Sequence, residues 1–121
     1  MLIRRLAFIV ALALAAPATA HHSFAMFDMQ KTVTVTGTIA EFKWTNPHSW
    51  MHVEIADASG KVSTWAIEMT SPNNLVRVGW RRSSLKPGDK VSVDIHPLRN
   101  GKNGGSLVQV KLPDGTVLKN A

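Results

Sequence analysis

A chain of 121 residues with 14 lysines and arginines against 8 acidic residues carries a formal charge of +6, and it has no cysteine. That length allows one domain around a single core. The absence of thiols excludes disulfides, thiolate metal centres and cysteine nucleophiles, so the fold must be held by packing.

Met1 to Arg5 is short and basic. Leu6 to Ala16 is an unbroken apolar run of 11 residues, and Ala18-Thr19-Ala20 puts small residues where a signal peptidase inspects them. Basic, apolar, small is the order of a secretory signal. The run is too short for a membrane span, which needs about 20 residues; a buried helix or an uncleaved anchor is the alternative. Residues 1–20 are therefore read as a signal peptide, with His21 as the first residue of a periplasmic or secreted protein. Losing Arg4 and Arg5, with all 8 acidic residues retained, lowers the formal charge from +6 to +4. Such a mild balance favours solubility and weak attraction to anionic surfaces. No second apolar stretch reaches spanning length, so no membrane span is expected in the processed chain.

Residues 21–31 lack a period and form an N-terminal arm; residues 32–121 are expected to form one β domain. Thr32 to Thr36 alternates, Gly37 marks a bulge or bend, and Thr38 to Trp44 resumes the strand. Thr45-Asn46-Pro47 is a turn signal. In Trp50 to Ile55 the apolar Met51, Val53 and Ile55 share the inward face, leaving Trp50, His52 and Glu54 outward. Asp57-Ala58-Ser59-Gly60 closes a hairpin. On the return strand, Val62 to Met69, Trp65, Ile67 and Met69 point inward and Thr64, Ala66 and Glu68 outward.

Ser71-Pro72-Asn73 then starts a helix of two or three turns, with Ser71 as N-cap and Pro72 at the first helical position. Lys90 to His96 is a strand with Val91, Val93 and Ile95 inward. Asn100 to Gly105 reads as a flexible hairpin tip, Ser106 to Leu112 as the next strand, and Thr116 to Leu118 as a short last one. The fold class expected is mainly β: a small five- to six-stranded OB-like barrel with one short helix between strands 3 and 4.

Signal cleavage would free an α-amino group on His21. That amine and the His21 imidazole can chelate one metal ion, and a further histidine would complete a nitrogen site suited to copper(II). His22 is adjacent, and Met26 and Met29 add thioethers, soft ligands for copper(I). The alternative is a solvated arm in which Met26 and Phe27 pack on the barrel.

The segment from Trp44 to His52 brings His48 and His52 together with Asn46 and Trp50. Glu68, outward on the neighbouring strand, is expected opposite or diagonal to His52 and Glu54. These residues form a plausible ligand surface on the second and third strands, or a plain His–Glu cross-strand pair covered by Trp50. His48 can equally bond its own turn, and His96 before Pro97 reads as structural. Arg77, Arg81 and Arg82 beside Trp80 offer a patch for an anion or polysaccharide, or a solvated helix face. There is no serine nucleophile elbow, phosphate loop or HExxH pair, and no enzymatic activity is expected.

His21-His22-Ser23-Phe24, Trp44-Thr45-Asn46-Pro47-His48 and Leu85-Lys86-Pro87-Gly88-Asp89 together resemble a family of small exported bacterial proteins of unknown function. The resemblance covers the whole processed chain. It implies location and compactness, and its recurring residues include His21, His22, Asn46, His48, Trp50, His52 and Glu68. The Leu-Lys-Pro-Gly-Asp pattern before a Val-rich strand is also similar to periplasmic OB-fold proteins.

The leading functional expectation is an exported binding protein holding copper or another transition metal through His21, His22, His48 and His52. The alternative is a metal-free module binding an envelope protein, oligosaccharide or small ligand on Trp50, Glu68 and Asn46. A single-stranded nucleic-acid module is disfavoured by export and by the lack of basic residues among Trp50, His52, Glu54, Thr64 and Glu68.

Overall fold

The computed structural model describes residues 25–121. The proposed signal peptide and the residues His21 and His22 lie outside the described residues. The elements are β1 (Val33–Lys43), β2 (Trp50–Ala56), β3 (Val62–Glu68), α1 (Pro72–Arg77), β4 (Lys90–Pro97), β5 (Gly104–Lys111) and β6 (Val117–Lys119). β1 pairs antiparallel with both β2 and β4, and β4 with β5. A parallel pairing of β3 with β5 closes five strands into a barrel, and β6 extends β5 outside it. This is the expected OB-type architecture, helix included.

β1 is long because it serves both halves of the barrel. Val33 to Thr38 pairs with β4, and Thr38 to Lys43 with β2. The strand runs unbroken through Gly37; the irregularity falls later, between Ile39 and Glu41. Gly37 is instead a point of close approach, where a Cβ would stand 2.2 Å from the Glu54 carbonyl oxygen.

Val35, Ile39, Met51, Val53, Ile67, Met69, Val91, Val93, Ile95, Leu107 and Val110 fill the interior, and Leu75, Trp80 and Leu85 pack into the same core. The inward alternation read from β2, β3 and β4 holds along the barrel. It weakens at Ile55 and Trp65, which are half-buried. Asp57 in the β2–β3 turn accepts bonds from the Ser59 hydroxyl and the Ser59 and Lys61 amides. These bonds favour the charged form, the Ser59 hydroxyl most of all, and hold the carboxyl below its ordinary range.

The helix has six residues, fewer than the two or three turns expected. Ser71 caps it, accepting from the Asn74 amide at 3.4 Å, and Pro72 stands in its first turn. The chain turns at Gly79, and the Trp80 amide donates back to the Leu75 carbonyl at 3.0 Å. Trp80 is then driven into the core, where its indole N–H donates to the Lys119 carbonyl at 2.8 Å and ties β6 to the helix end.

Of the two arm residues read as packing on the barrel, Phe27 does so and Met26 does not. Phe27 is buried and bridges Leu98, and the Asp28 amide donates to the Pro97 carbonyl at 2.9 Å. Met26 and Met29 stay exposed. His96 Nδ1 bonds the Lys31 carbonyl at 2.8 Å, the structural role expected of it. Among the described residues no helix is long and apolar enough to cross a membrane.

Gly104 and Gly105, expected in a flexible tip, are buried strand residues at the seam of the barrel. A Cβ on Gly104 would stand 2.7 Å from the Ala66 carbonyl oxygen. Gly104→Ala should therefore force the seam apart. Chemical denaturation should show a loss of about 1–3 kcal/mol, with the midpoint lowered and the slope unchanged.

Candidate functional site

The turn before β2 delivers His48 to the end of β3. The Asn46–Pro47 peptide is cis, and the Thr45 hydroxyl donates to the His48 carbonyl at 3.0 Å. The Ser49 amide donates to the Thr70 carbonyl at 3.1 Å, and the Met69 amide to the Ser49 carbonyl at 2.9 Å. These bonds carry the β2–β3 ladder past its last formal pair, Trp50 with Glu68. His48 is thereby held beside Glu68, and its Nδ1 bonds Glu68 Oε1. The imidazole is 42% exposed and the carboxylate 12%.

An ionised carboxylate only accepts, so in the neutral imidazole Nδ1 carries the proton and Nε2 is left with a free lone pair. His48 and Glu68 line a small pocket of about 90 Å³ with Phe27, Met69, Thr70, Ser106 and Asn120. That volume holds several waters or one small ligand group. Asn120 closes one wall, accepting from the Thr70 amide at 2.9 Å. The hydroxyl of Ser49 is buried without a hydrogen-bond partner. It lies on the inward face, opposite in parity to Trp50, so it forms no nucleophile–base pair with His48.

Two rows of Cα partners cross the outer face here. Lys43, Trp50, Glu68 and Ser106 form one, and Glu41, His52, Ala66 and Gly104 the next. Glu68 keeps the outward direction expected of it, yet it is only 9% exposed because His48 and Phe27 line the same pocket. Glu68 lies diagonal to His52, one of the two arrangements expected, but His52 bonds a different glutamate. Glu68 stands opposite Trp50, and His52 Nδ1 lies 3.3 Å from Glu41 Oε2 on the other neighbouring strand. The β1 irregularity between Ile39 and Glu41 is the cause, since it sets Glu41 across from His52. Alternation along the sequence cannot locate a bulge, so Glu41 was missed.

His48 and His52 thus hold separate glutamates. Among the described residues no three histidine or carboxylate side chains stand close enough to hold a metal ion. Asn46 is exposed in the turn and Trp50 half-buried on the sheet. Arg77, Arg81 and Arg82 are exposed, but Trp80, grouped with them from sequence, is a core residue.

A family model matches residues 9–108 of this chain, a span that includes all five histidines. The chain belongs to the family of unknown function DUF6152. This agrees with the resemblance to an uncharacterised family. No curated protein matches. Among solved structures, the barrel is similar to the crystal structure of the mitochondrial single-stranded DNA binding protein Rim1 from S. cerevisiae. The TM-score is 0.51 at 14% identity, over 75% of this chain and 97% of that one. At that identity the likeness establishes the shared OB-type fold.

The His48–Glu68 bond has a direct spectroscopic signature. At a pH where His48 is neutral, long-range ¹H–¹⁵N NMR should show the proton on Nδ1. Glu68→Ala should release it to Nε2, the usual tautomer of a free imidazole; an unchanged spectrum would show that Glu68 does not set the tautomer.

Proposed function

We propose that this chain is an exported binding protein whose ligand is a transition metal, copper(II) being the ion best matched to its donors. The observation that carries the reading is the bond from His48 Nδ1 to the buried Glu68. Histidines that ligate metals characteristically engage a carboxylate or carbonyl through their other nitrogen, which fixes the ring and raises its basicity. His52 repeats the arrangement more loosely with Glu41.

The remaining donors come from the arm. A processed His21 supplies its amine and imidazole, and His22 stands next to it. Phe27 lines the same pocket as His48. Six extended residues reach at most about 20 Å, so an N-terminus tethered at Phe27 has the length to return to His48. His48 is for this reason a better third donor than His52. Trp50 shields the sheet beside the site. Nitrogen donors of this kind suit copper(II), and the exposed Met26 and Met29 thioethers suit copper(I). Ligation needs neutral imidazoles, so affinity should fall below about pH 6.

A second reading rests on the two outer rows. Trp50, His52, Glu41 and Lys43 form a mixed aromatic and charged surface, which suits a metal-free module for an envelope protein, oligosaccharide or small ligand. Stoichiometric metal in protein purified from its own compartment supports the first reading; metal-free protein supports the second.

Copper(II) titration of the processed chain tests the site. One residue added before His21 should weaken binding sharply by removing the amine chelate. His48→Ala should weaken it as well, and Glu68→Ala by about 10–100-fold. Equal affinity in the processed and extended forms would overturn the chelate.

A further inference from the structure

The helix end and the start of the following loop form a second concavity that shares no residue with the His48 pocket. It has a volume of about 490 Å³ and is lined by Trp44, Val76, Gly79, Trp80, Arg81 and Arg82. Its aromatic wall is Trp44, which is partly exposed; Trp80 behind it is buried.

The platform is backed by two aromatic contacts. Trp44 packs edge-on against Phe42, with centroids 5.8 Å apart, and Phe42 in turn lies 5.9 Å from Trp80 in the core. The two arginines open a turn fixed by two bonds. The Arg81 amide donates to the Ser84 hydroxyl at 2.8 Å, and the Ser84 amide to the Arg81 carbonyl at 2.9 Å. Among the described residues, no acidic side chain lines the concavity. Among the described residues, both close His, Lys or Arg to carboxylate pairs use histidines, and neither arginine is engaged.

We infer that this concavity is a binding site for a small acidic saccharide, with a sugar ring stacked on Trp44 and its carboxylate held by Arg81 and Arg82. Guanidinium forks match a carboxylate bidentately. The negative face of an indole attracts the weakly positive C–H face of a sugar. The volume lies within the roughly 300–1,000 Å³ typical of small-ligand sites. A stable protein interface needs about 800 Å² on each side, more than one indole, one valine and two arginines present. Single-stranded nucleic acid calls for successive stacking platforms along a basic groove, and here there is one indole.

The test is an NMR titration of the full chain with digalacturonate, following the Trp44 indole N–H resonance, which Trp44→Phe assigns by its loss. Cellobiose serves as the neutral sugar and AMP as the nucleotide anion. Digalacturonate should shift the resonance saturably, with affinity falling as salt is raised. The double substitution Arg81→Ala and Arg82→Ala, both at exposed positions, should weaken binding at least about ten-fold with an unchanged fold by circular dichroism. No saturable shift at millimolar digalacturonate would overturn the site. Equal binding of cellobiose, tighter binding of AMP, or a folded double variant that binds unchanged would each overturn the assignment to an acidic saccharide.

Discussion

The parallel contact between the end of β3 and the start of β5 is where the barrel closes. Ala66, Ile67 and Glu68 run beside Gly104, Gly105 and Ser106. Gly104 gives the clearance across that seam, since a Cβ there would stand 2.7 Å from the Ala66 carbonyl oxygen, while Gly105 gives it on the β4 side, 2.5 Å from the His96 carbonyl oxygen. With the seam shut, Ile67 and Leu107 are sealed in the core and the sheet has no open edge between β3 and β5. The same closure carries Glu68 out of free solvent and sets Ser106 beside it. The pocket at His48 is thus a product of how the barrel is sealed.

Burying a carboxylate is unfavourable unless its oxygens find partners. At Glu68 that partner is His48, presented by a turn and by the short extension of the β2–β3 ladder through Ser49 and Thr70. The pairing resolves an electrostatic requirement of the closed barrel, and it also leaves one imidazole nitrogen aimed away from the carboxylate. The same arrangement meets a structural necessity and fixes the orientation of the imidazole. The arm completes it by placing Phe27 against the pocket.

The helix end follows a parallel logic. Trp80 is consumed by packing, its indole bonded to Lys119, and this positions Phe42 and through it Trp44. The adjacent arginines remain outside because their charges cannot follow Trp80 inward. A core anchor and two exposed arginines therefore come from one short turn after α1, set beside an aromatic platform that follows β1.

Much of this was legible in the chain itself. The apolar alternation of Met51 with Val53, of Ile67 with Met69, and of Val91, Val93 and Ile95 specified the barrel staves, because a strand repeats every two residues. Ser71 and Pro72 marked the helix start, and His48, His52 and Glu68 stood out as candidate ligand residues. Tertiary structure alone decided their partners. A bulge in β1 gave His52 to Glu41, the seam gave Glu68 to His48, and a turn at Gly79 sent Trp80 into the core and left Trp44 at the rim. Periodicity reports which face a residue occupies. Register, bulges and closure are set by contacts between distant segments, and these determine what that residue meets.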